Sequence, residues 1–187
     1  MKSLLINNHD SFVYNIVQIT GSLGYEMDVV MNEDLDHLDP EKYEKIIISP
    51  GPGNPENYSD RGKILEFLKS SPDSHILGIC FGHQTLAYYL GSSIRVMDRP
   101  LHGEIDRIMH MDSPLYKGIP ESFRAVRYHS LTVIPSERIV VDALSSRDGS
   151  VMGFHTKEGH IFGIQFHPES FYTEYGREII KNFMEVQ

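Results

Sequence analysis

His75-Ile-Leu-Gly-Ile-Cys80-Phe-Gly-His-Gln-Thr-Leu-Ala-Tyr-Tyr-Leu90 reads as a strand, a sharp turn and a helix in succession. The apolar run at 75–79 leads into Cys80, and a run with helix-forming character leads out of it. Gly78 and Gly82, two positions to either side, allow the tight bend of a nucleophile elbow. A sulfur at that apex would be exposed and close to the positive end of a helix, and both features favour the reactive thiolate. Cys80 is the only cysteine of the chain. On its own it reads either as a nucleophile or as a small buried hydrophobe.

Working outward, short apolar runs alternate with helical patterns through the first half. Residues 2–6, 27–31, 45–49 and 76–79 read as strands. Asp10 or Ser11 is placed to cap a helix whose inner face carries Phe12, Ile16, Ile19 and Leu23, with Gly24 as its stop. A second helix is expected over 61–70 and a third over 82–90. This βαβ order implies a mostly parallel sheet flanked by helices. From 93 to 166 the pattern changes to short strands at 94–97, 104–110, 125–128, 132–134, 140–145, 151–155 and 161–165. A closing helix at 177–186 turns Ile179, Ile180 and Phe183 inward. The whole reads as one α/β domain, 1–187, with a small antiparallel β extension.

Composition narrows the function. A chain of 187 residues, 40% hydrophobic, has room for a sizeable core. No apolar stretch approaches the roughly 20 residues of a membrane span, and the N-terminus turns polar too soon for a signal peptide. A cytoplasmic location is the default expectation. The net charge of −9 and the lack of a basic run argue against nucleic acid as a partner. One cysteine leaves no internal disulfide and no Cys-rich zinc site, and the ten histidines form no ligand pattern, so no metal is expected. No phosphate-binding Gly-x-x-x-x-Gly-Lys-Ser/Thr motif is present.

Cysteine hydrolysis needs a thiolate, a base, a group that orients the base, and donors for the oxyanion. Gly163-Ile-Gln-Phe-His167-Pro-Glu169 ends a strand with an imidazole and a carboxylate two residues apart. Taken alone it could be a solvated polar turn; beside a Cys elbow it reads as base and orienter. Ser49-Pro-Gly-Pro-Gly53 follows the third strand at the sheet end where sites lie. It is either an ordinary Pro/Gly turn or a loop whose Gly53 amide joins that of Phe81 as oxyanion donors.

Pro50-Gly-Pro-Gly, Gly-x-Cys80-x-Gly-His-Gln, Tyr128-His-Ser-Leu131 and His167-Pro-Glu, in this order along the chain, resemble the class I (triad) glutamine amidotransferases. Asp10-Ser-Phe…Asn15, Phe166-His-Pro-Glu-Ser170 and Thr173-Glu-Tyr-Gly176 are similar to the branch holding the glutaminase subunits of anthranilate synthase and aminodeoxychorismate synthase. The resemblance implies a flavodoxin-like sheet and a Cys80–His167–Glu169 triad that hydrolyses L-glutamine through a thioester. It implies an oxyanion hole from Gly53 and Phe81, and glutamine contacts from Gly51, Pro52, Gly53, Gln84, Ser130 and Leu131. His83 would support the elbow. The chain itself would carry no cofactor; Mg2+ would belong to a chorismate-using synthase partner that receives the ammonia. A GMP-synthetase-type partner and a noncatalytic regulatory module are the competing readings. Two positions depart from the branch: His9 replaces a Tyr, and His102-Gly-Glu104-Ile-Asp106 replaces His-Gly-Lys-Thr/Ser, which reverses the expected local charge.

Overall fold

The computed structural model describes residues 2–71 and 74–187. One nine-stranded sheet runs through it in the order β2-β1-β3-β4-β9-β8-β7-β5-β6. The strands are β1 (Lys2–Asn7), β2 (Met27–Met31), β3 (Tyr43–Ile48), β4 (His75–Ile79), β5 (Ser93–His110), β6 (Ser122–Ile134), β7 (Ile139–Ser145), β8 (Val151–Thr156) and β9 (Ile161–Ile164). The pairings β2-β1-β3-β4-β9 are parallel, and those from β9 outward are antiparallel. The β extension is therefore a continuation of the same sheet.

Alternation explains why the first strands are apolar along their length. Leu5, Ile47 and Leu77 face one core, with Val13 and Ile16 of α1 (Val13–Ser22) and Ile179, Ile180 and Phe183 of α5 (Gly176–Glu185). Leu4, Ile6, Ile46, Ile48 and Ile76 face the other. There they meet Ile64, Phe67 and Leu68 of α3 (Ile64–Lys69) and Leu86 of α4 (Phe81–Tyr89). A strand covered on both faces needs a continuous apolar run, and each such side chain contributes about 1.5–3 kcal/mol on burial.

The structure departs from the expected reading in four places. The helix read over 61–70 is broken into α2 (Tyr58–Arg61) and α3, because Gly62 adopts φ 53° and a side chain there would overlap the Asn32 carbonyl. The strands read at 94–97 and 104–110 are one strand, β5, with register shifts between Val96 and Leu101 and between His102 and Glu104. Those read at 125–128 and 132–134 merge into β6. Phe12, expected on the inner face of α1, is 53% exposed. The Asp10 carboxylate accepts the Phe12 N–H at 2.7 Å, and this turn carries the ring outside the helix.

The sheet curls until β6 meets the segment after β9. His167 N–H donates to the Val126 carbonyl at 3.1 Å, Val126 N–H to Thr173 Oγ1 at 3.1 Å, and Glu174 N–H to the Arg124 carbonyl at 2.8 Å. That closure carries the second half of the chain over the elbow.

Candidate active site

Cys80 sits between β4 and α4 at φ 52°, ψ −100°, a conformation disfavoured by roughly 1–3 kcal/mol for a residue with a side chain. The backbone on either side of it is closely packed. A Cβ on Gly78 would overlap the Gly82 carbonyl, and one on Gly82 would overlap the Ile48 carbonyl. The Cys80 N–H donates to Ile164 of β9 at 2.8 Å, and its carbonyl accepts the Gln84 N–H at 3.1 Å, closing the first turn of α4. The thiol is 6% exposed rather than open to solvent, because β6 covers it: Sγ lies 3.5 Å from the Tyr128 carbonyl.

His167 and Glu169 are buried beside it, with His167 Nδ1 2.6 Å from Glu169 Oε1. The carboxylate accepts from Nδ1, so the lone pair or second proton belongs to Nε2, which has no hydrogen-bond partner among the described residues. Burial works against charge on this ring. The negative charge of a Cys80 thiolate and the Glu169 carboxylate outweigh it and raise His167 well above its ordinary value. The Tyr128 ring meets His167 edge-on, with centroids 5.5 Å apart.

Cys80, His167 and Glu169 open onto a cavity of about 600 Å3. Asp10, Ser11, Phe12 and Asn15 make one stretch of its wall, Pro50, Gly51 and Pro52 another, and the exposed Phe171 and Tyr172 its mouth. Phe171 is 95% exposed. The loop after β3 is held by Asn8, whose backbone N–H donates to Ser49 Oγ and whose Nδ2 donates to the Ser49 carbonyl, each at 2.9 Å. A Cβ on Gly51 would overlap Asn8. Gly53 requires glycine on two counts: φ is 99°, and a Cβ would overlap the Asp60 carboxylate. Asp10 is raised by its partial burial and by the charge of Glu169, against the opposing Phe12 hydrogen bond and the nearby His167.

Of the residues singled out in the sequence, Cys80, His167, Glu169, Gly51 and Pro52 share this cavity. Gly53, Phe81, Gln84, Ser130 and Leu131 are not on its walls. Phe81 is the first residue of α4 and buries its ring in the core. Gln84 is buried, and its Nε2 donates to Gln165 Oε1 at 2.9 Å and to the Leu131 carbonyl at 3.4 Å. Ser130 is exposed and Leu131 buried on β6. His83 packs beneath the elbow, 4.9 Å from the Phe154 ring, with neither ring nitrogen hydrogen-bonded among the described residues. Burial lowers it to about 3, so it is neutral near pH 7.

Sequence reading missed the wall made by Asp10, Ser11 and Phe12, the Tyr128 carbonyl over the thiol, and the aromatic mouth. Two adjacent aromatics directly after His-Pro-Glu-Ser were the available signal for the mouth; nothing local marks a backbone carbonyl. The charge reversal expected at His102–Asp106 is neutralised. Glu104 pairs with Arg99 and Arg147, and Asp106 is buried against Arg127. His9 adopts φ 59° at the cavity edge, with Nε2 3.2 Å from Glu33. Among the described residues, no group of three or more His, Cys, Asp or Glu is arranged to hold a metal ion, and no helix is long and apolar enough to cross a membrane.

Residues 4–186 match the family model for class-I glutamine amidotransferases. Anthranilate synthase component 2 of Saccharolobus solfataricus is 44% identical, the match covering 97% of each chain. The protein of the same name from Methanothermobacter marburgensis is 42% identical over 97% of this chain and 96% of its own. Among solved structures, a putative GMP synthase subunit from Thermoplasma acidophilum superposes with TM-score 0.82 and 27% identity, covering 98% of this chain and 92% of that one.

Proposed function

This chain belongs to the class-I glutamine amidotransferase family, and from that premise we propose that it is the glutaminase subunit of a chorismate-aminating synthase, most closely anthranilate synthase. The observation that carries the reading is the buried line Cys80–His167–Glu169, with Nε2 of His167 unpaired and the cavity opening above the sulfur.

Cys80 as thiolate attacks the side-chain amide carbon of L-glutamine, and the carbonyl π electrons move onto oxygen. Backbone N–H groups of Gly53 and Phe81 stabilise that oxyanion. His167, held protonated by its neighbours, gives its proton to the departing nitrogen as the C–N bond breaks, leaving a γ-glutamyl thioester and ammonia. Neutral His167 then takes a proton from water, whose oxygen attacks the thioester and expels the thiolate; glutamate leaves. Glu169 keeps the ring in the tautomer both steps need. Gly51 and Pro52, on the cavity wall, contact the rest of glutamine, and Gly53, Gln84, Ser130 and Leu131 join them where the bound substrate reaches past that wall. The chain works as one domain, 1–187, in the cytoplasm and without a cofactor of its own; Mg2+ belongs to the synthase partner.

The full-length likeness to two proteins named anthranilate synthase component 2 supports that partner. An aminodeoxychorismate synthase is the neighbouring choice. A GMP-synthetase-type partner is the second reading, favoured by the solved structure at 27% identity but not by the Asp10-Ser-Phe opening. A noncatalytic regulatory module fits poorly with an intact triad.

The test is ammonia release from glutamine, with and without a candidate synthase chain, and assay for anthranilate when chorismate is added. Cys80→Ser is expected to reduce hydrolysis by at least about a thousandfold. Hydrolysis by Cys80→Ser at the parent rate would end the reading.

A further inference from the structure

The catalytic steps leave the polar core of the antiparallel strands without a role. Arg127 lies fully buried on β6, immediately before Tyr128 and His129. Its Nε donates to Nε2 of His129 at 3.0 Å. Nη1 donates to Asp106 Oδ2 at 2.5 Å and Ser145 Oγ at 2.9 Å; Nη2 donates to Asp148 Oδ2 at 3.0 Å and Ser150 Oγ at 2.8 Å. A guanidinium has five N–H donors and no acceptor. Each donor here has a partner, so the group is fixed in one orientation by β5 and by the turn between β7 and β8.

That orientation dictates the state of His129. A donor aimed at Nε2 requires a lone pair there, which puts the ring proton on Nδ1. Nδ1 lies 2.8 Å from the Leu131 carbonyl. The same carbonyl accepts from Gln84 on α4, and the carbonyl of Tyr128 lies 3.5 Å from Cys80 Sγ. A continuous set of hydrogen bonds thus joins Asp106 and Arg127 through His129 and Leu131 to Gln84, the side chain that follows the nucleophile by four residues.

We propose that Arg127 is a positioning residue of the glutamine site, acting through His129 to hold the 128–131 backbone in register with Cys80 and Gln84. The inference rests on the glutaminase reading, in which Gln84, Ser130 and Leu131 hold the α-substituents of glutamine. Without the Nε donor, Nε2 of His129 is free to accept a proton and the ring to turn from Leu131. The charged and titratable groups facing His129 are Arg127 on its own strand, Asp148, His167 and His83 of α4. Burial lowers the ring to about 4, with the Arg127 charge adding to it against the Leu131 hydrogen bond.

The experiment uses the full chain. Acylation of Cys80 by the diazoketone analogue of glutamine is followed by mass spectrometry across analogue concentration, in the parent and in Arg127→Met. The half-saturating concentration should rise about tenfold or more while the limiting rate changes less than about threefold, since binding rather than the chemical step loses its support. Alkylation of Cys80 by iodoacetamide, which needs no glutamine site, should stay within about twofold. Imidazole 15N spectra of the parent should show His129 with its proton on Nδ1 and neutral at pH 5; in Arg127→Met the ring should titrate at higher pH. An unchanged half-saturating concentration in folded Arg127→Met overturns the proposal. So does a parent His129 carrying its proton on Nε2, a result available even if the variant does not fold. A parent chain that the analogue fails to label at Cys80 sinks the glutaminase reading itself, a failure the Arg127 outcomes do not mimic.

Discussion

The parallel strands and the antiparallel strands bury different chemistry. In the first group the interior is Leu4, Leu5, Ile6, Ile46, Ile47, Ile48, Ile76 and Leu77, and the buried cation Lys45 reaches the Val186 carbonyl at 2.5 Å. In the second, Arg127, Asp106, Asp142 and His129 are buried, each with at least one partner. The parallel group supplies Cys80 on a rigid bend. The antiparallel group supplies the cover: the Tyr128 carbonyl, and the backbone into which His167 docks. Apolar burial is non-directional, so it makes a firm scaffold; hydrogen-bonded burial is directional, so it sets where particular atoms lie.

The sharpest way to break the scaffold is Gly82→Ala. Its Cβ would overlap the Ile48 carbonyl. Backbone must shift at the elbow, and we expect a loss of about 3 kcal/mol or more in urea unfolding and of more than about a hundredfold in glutaminase rate. Intact activity in this variant would show that the bend is not the constraint described.

Glu169→Gln tests the junction of the two groups. Cys80 and Glu169 both raise His167 against its burial. Removing the carboxylate lowers the ring's affinity for a proton, so the protonated acid is lost at lower pH. The alkaline limb of the rate profile should move down by about one pH unit, with a rate loss of roughly tenfold to a thousandfold. An alkaline limb that stays put would assign it to another group.

A thermal-melt series in pH separates apolar from polar burial. Folded His83 protonates at about 3, below its ordinary 6.5. The unfolded chain therefore binds the extra proton between those values. The stability tied to neutral His83 is complete above pH 6.5 and is lost as pH falls toward 3. The contribution is on the order of 3 kcal/mol between pH 6.5 and 4. His83→Leu should flatten that decline; an equally steep one would place the acid sensitivity elsewhere, with His129 the next candidate at about 4.

The smallest effect belongs to the surface. Lys2 and Asp28 are 4.0 Å apart and mostly exposed. Lys2→Ala should change stability by less than about 0.5 kcal/mol, measured by chemical denaturation at low and high salt.

Legibility follows the same division. Two-faced burial writes itself as Ile46-Ile-Ile48, and a bend needing small residues writes itself as Gly78-x-Cys80-x-Gly82. The strand–elbow–helix and the His167-Pro-Glu169 end were therefore readable. The single strands β5 and β6 were read as fragments, because the register shifts near 96–104 interrupt alternation locally while the ladder continues beyond them. Glu104 and Asp106 read as a reversal of local charge because Arg147 and Arg127, which pair with them, lie 43 and 21 residues further along.

By itself the sequence singled out Cys80, His167 and Glu169 as candidates and the strands covered on both faces, since residue type, spacing and period are local properties. Only the tertiary structure decided that the thiol lies against the Tyr128 carbonyl, that Gln84 is bonded within the protein, and that Arg127 points its Nε at His129. Those facts depend on how far a nine-stranded sheet curls, and that is set by pairings between segments distant in the chain.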